Sequence, residues 1–125
     1  MPGWASRWSS TPCRPASAPP PRLHRQTRED AAVYILEGEL RYWFAEGDAV
    51  AIAGTLVWLP RGGWNRWANE RDDLCRLLAI FAPAGFERYF LDLGAAMVTA
   101  GGDRSALGAA IGGLRQQYGD EEYPA

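Results

Sequence analysis

An antiparallel all-β domain followed by one or two helices is the fold class the sequence predicts, on three observations. Between Ala31 and Phe81 the chain passes through six short apolar segments, AAVYIL, ELRYWF, AVAIA, TLVWL, WNRWAN and LCRLLAIF. Their β-branched and aromatic residues suit a half-buried pleated surface. Turn signals separate them, at Glu37-Gly38, Glu46-Gly47-Asp48, Pro60-Arg61-Gly62-Gly63 and Glu70 to Asp73. Strands spaced this regularly build a sandwich or barrel, not βαβ units. After Pro83 the period changes.

That change marks the helical part. In GFERYFLDLGAAMV, the residues Phe86, Tyr89, Phe90, Leu93 and Met97 recur at helical spacing. A second helix is expected over Ser105 to Tyr118, stopped by Gly119. Its glycines Gly108, Gly112 and Gly113 each cost about 1 kcal/mol relative to alanine, so it needs packing to persist. The acidic end, Gly119 to Glu122, reads as a solvated tail.

The chain before the strands has a different composition. Residues 1–22 are rich in Pro, Ser, Ala and Arg, without hydrophobic period apart from Trp4 and Trp8. They read as a disordered or extended arm. An Arg-rich, acid-free start also suits a transit peptide, but Pro12, Pro15 and Pro19 to Pro21 break the amphipathic helix such a peptide forms. The expected organisation is therefore an arm at 1–22, a β-domain at 23–83 and a helical segment with an acidic tail at 84–125.

Composition narrows the function classes. With 125 residues, 47% of them hydrophobic, the chain suits one domain with a real core. Residues 1–28 hold five Arg and no acid, while the rest holds eight Arg against fifteen acids, a net charge of −7. A uniform nucleic-acid face is not expected. Cys13 and Cys75 form no CxxC spacing, which argues against a disulfide framework or zinc cluster. No apolar run reaches the eighteen or so residues of a membrane helix, and a cytoplasmic protein is the expectation.

Two segments carry a family resemblance: His24 to Leu40 (HRQTREDAAVYILEGEL) and Gly54 to Asn69 (GTLVWLPRGGWNRWAN). They resemble the two signature motifs of the cupin superfamily. In the first family motif, His-x-His is followed after four residues by Glu, and a strand then ends at a Gly turn. Here His24, Gln26, Ala31 and Gly38 stand at those positions. The second family motif spaces Gly, Pro, Gly, His and Asn as Gly54, Pro60, Gly62, Asn65 and Asn69 are spaced here. The strand-then-helix phrase APAGFERYFLDLG also resembles the end of small cupins. The likeness runs from about His24 to Gly94 and implies a cupin-type antiparallel β-barrel, or jelly roll, with one or two C-terminal helices. Little chain precedes the first motif, which leaves either an abbreviated barrel or a start that is not the natural one.

The resemblance implies a metal site that these residues largely lack. Cupins bind iron, manganese, nickel, copper or zinc through three His and one Glu, side chains that suit such ions. Of those ligands the chain keeps His24. Gln26 and Asn65 offer neutral amides, and Ala31 offers nothing. Asp30 points to the opposite strand face; Glu29 shares the parity of Ala31 but lies in the loop before the strand. No cofactor is therefore expected, with a divalent transition metal on His24 as the alternative. Gln26 and Asn65 can hydrogen-bond each other or a ligand across the interior. Alternation turns Trp67 inward with Asn65, where it can stack on a planar ligand, or simply fill the core as aromatics commonly do. Arg41, Arg61 and Arg66 either bind a carboxylate at the mouth or pair with Glu39, Glu70 and Asp72.

Three functions follow as expectations. The first is a cupin-fold protein with a largely lost metal site that binds a small apolar or aromatic molecule through His24, Gln26, Asn65 and Trp67, or is catalytically vestigial. The second is a metal-dependent dioxygenase or isomerase-like small cupin, similar to the quercetin dioxygenase-like proteins, with unconventional ligands. The third is a homo-oligomerising module, since exposed sheet edges need covering and cupins are commonly dimers. The expected partners are a small molecule and a second copy of the chain, not nucleic acid or a membrane.

Overall fold

The structure, a computed structural model, describes the backbone of residues 5–9 and residues 22–124 in full. Nine strands and two helices follow one another: β1 (Ala5–Ser9), β2 (His24–Gln26), β3 (Asp30–Glu37), β4 (Glu39–Phe44), β5 (Gly47–Ile52), β6 (Leu56–Leu59), β7 (Asn65–Ala68), β8 (Arg76–Ala82), α1 (Glu87–Ala100), α2 (Arg104–Tyr118) and β9 (Asp120–Glu122). Every apolar segment of the sequence becomes a strand. Most of the expected arm, with Cys13, lies outside the described residues; within it, Ala5–Ser9 pairs antiparallel with β8.

The strands form two antiparallel sheets, in the orders β1-β8-β3-β6 and β5-β4-β7-β2-β9. The expected closed barrel is corrected: among the described residues no strand pairing joins one sheet to the other. Closure needs edge strands long enough to turn the corner, and β6 and β7 have four residues each. Pro60, which follows β6, has no N–H to continue the ladder. Single backbone bonds bridge the gap, Gly54 N–H to the Ile35 carbonyl at 2.8 Å and Gly62 N–H to the Gln26 carbonyl at 2.7 Å.

Between the sheets lies the core. Alternation along β3 buries Ala31, Val33 and Ile35, and they meet Leu40 and Tyr42 of β4, Val57 of β6, and Ala79 and Phe81 of β8. The opposite face of β3 is wet, with Tyr34 exposed beside Leu56 in register. On the outer face of the five-stranded sheet, Arg66 stacks on Trp43 and Arg25 on Trp64, at 4.4 and 4.5 Å.

The helices start and stop where local chemistry directs. Asp103 caps α2 by accepting from the Ser105 and Ala106 N–H groups at 2.9 and 3.1 Å. Gly101 and Gly119 end the helices in the left-handed region. Neither helix buries a residue fully. The anchor is Phe86, just before α1, whose ring meets Phe81 and Tyr89 at 5.1 Å and Tyr118 at 6.3 Å. The second helix thus gains the packing its glycines require.

The expected solvated tail at Gly119 to Glu122 is also corrected. Residues Asp120–Glu122 form β9, which pairs with β2 along His24↔Glu122, Arg25↔Glu121 and Gln26↔Asp120. Without it the N–H and C=O groups on that edge of β2 would lack backbone partners.

Two glycines test the packing with opposite signs. Gly38 has φ +79°, and a methyl there would stand 2.6 Å from the Leu74 carbonyl oxygen. Gly108 is exposed in α2, and an added methyl meets nothing within 4 Å. Urea unfolding of Gly38→Ala should show a loss of more than about 1 kcal/mol, and of Gly108→Ala a gain of about 1 kcal/mol. A neutral Gly38→Ala would contradict the turn.

Candidate functional site

The short strands β2 and β7 bring the sequence-predicted residues onto one inward face. His24 pairs in register with Asn65, and Asn65 with Phe44 of β4, so one row crosses the five-stranded sheet. Gln26 stands opposite Asp120 of β9. Ala31 comes from the facing sheet, between Leu59 and Phe81 in register, and is buried.

His24 is held by a residue that sequence reasoning missed. Its Nδ1 lies 2.9 Å from Asp120 Oδ1, and Asp120 is 8% exposed. A carboxylate only accepts, so Nδ1 carries the proton and donates it. The other carboxylate oxygen, Oδ2, is 3.4 Å from Arg115 Nε. That contact is an ion pair without hydrogen-bond alignment, because Nε has no hydrogen-bond partner. Arg115 also pairs with Glu122. Burial opposes the charge on Arg115, but Glu122 and Asp120 outweigh it and raise its pKa.

The two amides do not bridge. Asn65 is 6% exposed; its Nδ2 donates to the Gly63 carbonyl at 3.4 Å, and its Oδ1 has no partner. Asn65 lines a cavity of about 250 Å³ with Phe44, Ala45, Glu46, Trp58, Leu59, Pro60, Gly63 and Trp64. Trp67 turns inward as alternation requires, but it packs against the core in register with Tyr42 and does not line that cavity.

Glu29 is the second residue the sequence left undecided. It is 5% exposed, and its Oε1 has no hydrogen-bond partner. Burial raises its pKa above the ordinary 4.5; Arg28 and Arg61 pull it back, while the carboxylates of Asp120 and Glu87 push it up. The available signal was its shared parity with Ala31. Asp30 points the other way, accepting from the Arg61 N–H at 2.8 Å. Of the three arginines expected at the mouth, Arg41 pairs with Asp48 and Glu70, Arg61 with Asp30, and Arg66 stacks on Trp43.

These residues do not fit the family's transition-metal site. Its one imidazole keeps Nε2 free, since only Nδ1 is bonded to Asp120, but the other positions offer amides or a methyl, and neutral amide oxygens are weak donors to such ions. Among the described residues no three His, Cys, Asp or Glu side chains converge as metal ligands do.

Fold and motif positions together define a cupin, and comparison with known proteins agrees. The cupin domain model matches residues 14–81, more than half the chain, and the chain belongs to the cupin family. Its fold is similar to that of Streptomyces PAC13, solved as a variant with uridine: TM-score 0.52, 14% identity, 70% of this chain and 65% of that chain. Pac13 is described as a unique nucleoside dehydratase. A cupin protein from Bacteroides fragilis superimposes at TM-score 0.52 with 20% identity, over 68% of this chain and 70% of that chain. A cupin-2 domain protein from Shewanella frigidimarina gives 0.51 and 15%, over 67% and 74%. At these identities the likeness is one of fold. No curated protein matches the chain. No helix among the described residues is long and apolar enough to cross a membrane.

Glu29 has a measurable signature. Below its ordinary pKa of 4.5 it is protonated in the folded and unfolded chain alike. As pH rises past that value the unfolded chain ionises first, so the folded state loses stability until Glu29 itself ionises. Glu29→Gln should therefore match the parent in acid and exceed its stability at neutral pH, because the amide keeps the shape of the carboxyl with no charge to bury. Equal stability curves across that range, from chemical denaturation, would contradict the burial of a lone carboxyl.

Proposed function

We propose that this cupin binds a small, largely apolar or aromatic molecule between its sheets, at the cavity beside Asn65. The observation that carries the reading is the unpartnered Asn65 Oδ1, buried on the wall of a cavity whose other lining is apolar apart from Glu46, with Phe44, Trp58, Leu59 and Trp64 around it. Few convergent polar groups on an apolar surface are the usual composition of a ligand site. A buried acceptor without a donor costs about 1–3 kcal/mol, and an N–H or O–H from a ligand removes that cost. The volume, about 250 Å³, suits a molecule of one or two rings.

The test compares two probes of similar shape. 4-Nitroaniline carries an N–H donor and nitrobenzene does not, and Trp58 and Trp64 beside the cavity report binding by quenching. Saturable quenching by 4-nitroaniline is expected with about tenfold tighter binding than nitrobenzene, a ratio that corresponds to one net hydrogen bond. Asn65→Leu should bring the two affinities together. Absence of saturable quenching by either probe would overturn the reading.

A further inference from the structure

We propose that the molecule bound beside Asn65 is an organic cation, a ring bearing an ammonium group that Glu46 receives. The inference rests on the cavity of the proposed function and adds the chemical class of its ligand.

The turn that walls this cavity has spent its donors. Leu59 and Pro60 enter the turn and Gly63, Trp64 and Asn65 leave it, all of them along the cavity. Pro60 has no N–H. The Arg61 N–H donates to Asp30 at 2.8 Å, the Gly62 N–H to the Gln26 carbonyl at 2.7 Å, and the Gly63 N–H to the Pro60 carbonyl at 3.0 Å. Asn65 Nδ2 is turned to the Gly63 carbonyl at 3.4 Å, which leaves Oδ1 without a donor. An anion would therefore find no nest of successive N–H groups here. Among the described residues, none that lines the cavity is basic. The donors left on its side chains, the indole N–H groups of Trp58 and Trp64, are neutral.

Glu46 supplies the opposite charge. It lines the same cavity, and among the described residues it makes no ion pair or hydrogen bond. The nearby cations are engaged elsewhere: Arg41 pairs with Asp48, and Arg25, stacked on Trp64 at 4.5 Å, pairs with Glu121 at 2.7 Å. Phe44 stands in register with Asn65, and Glu46 follows Phe44 by two residues, at most about 7 Å along the chain. A ring seated against Phe44 and Leu59 can thus rest beside Asn65 with a short arm that ends at Glu46. Trp58, 58% exposed, adds an aromatic face, which attracts a cation and repels an anion.

Calorimetric titration of the full chain at neutral pH with phenethylamine, 2-phenylethanol and phenylacetate tests this. The three share a ring and a short arm and differ in the charge at its end. Phenethylamine should displace 4-nitroaniline and bind about threefold tighter than 2-phenylethanol, the scale of an ion pair that water screens, with phenylacetate weakest. The preference should vanish in about 1 M salt, where charges are screened within about 3 Å. Glu46 is exposed, so Glu46→Gln should fold as the parent does, lose the amine preference and keep the alcohol's affinity within about twofold. Equal binding of amine and alcohol to the unaltered protein would overturn the inference and leave the cavity standing. An amine preference that survives Glu46→Gln, or an amine that binds without displacing 4-nitroaniline, would also overturn it. If none of the three binds, the inference falls; saturable quenching by 4-nitroaniline would then keep the cavity reading, and its absence would remove both.

Discussion

The bond between His24 and Asp120 is the constraint on which the arrangement of this cupin depends. It joins β2 to β9, 96 residues apart in sequence. Asp120 in turn holds Arg115, near the end of α2, and Gly119 turns the chain from that helix into β9. Thr27 reinforces the junction, its backbone N–H and its hydroxyl both donating to the Gly119 carbonyl at 3.0 and 2.8 Å. The helical hairpin, which buries no residue fully, is therefore held at two places: the aromatic contacts of Phe86 and this polar junction.

The other motif positions change what the interior can do. In the family's pattern three further ligands join this imidazole on a metal; here Gln26, Ala31 and Asn65 stand in their places. Among the described residues two buried acceptors lack donors, Glu29 Oε1 and Asn65 Oδ1. Tight packing elsewhere, as around Ile35 and Leu40 at 0% exposure, shows that the fold can seal its core.

Much of this fold was legible because strand alternation and turn glycines act locally. The segment AAVYIL announces β3 by its residues alone, and Gly38 is needed wherever a chain must turn beneath the Leu74 carbonyl. Strand alternation also correctly set Asn65 and Trp67 inward and Asp30 outward. What stayed hidden depends on partners distant in sequence. Asp120, Glu121 and Glu122 have poor strand propensity and no apolar period, and only pairing with β2 makes them a strand. Glu29 sits before β3 begins, where parity no longer fixes direction, so its burial shows only in the structure. Whether the sheets close into a barrel depends on how far β6 and β7 extend, and boundaries of that kind are weakly encoded in short segments.

The chain has one histidine, which makes its central claim directly measurable. Nuclear magnetic resonance of the protein labelled in the imidazole nitrogens would show which nitrogen of His24 carries the proton and whether iron(II) reaches the ring. The account predicts a proton on Nδ1, bonded to Asp120, and signals unchanged by an equivalent of iron(II). A proton on Nε2 with Nδ1 unbonded would contradict the bond to Asp120, and signals broadened away by iron(II) would show Nε2 of His24 acting as a metal ligand.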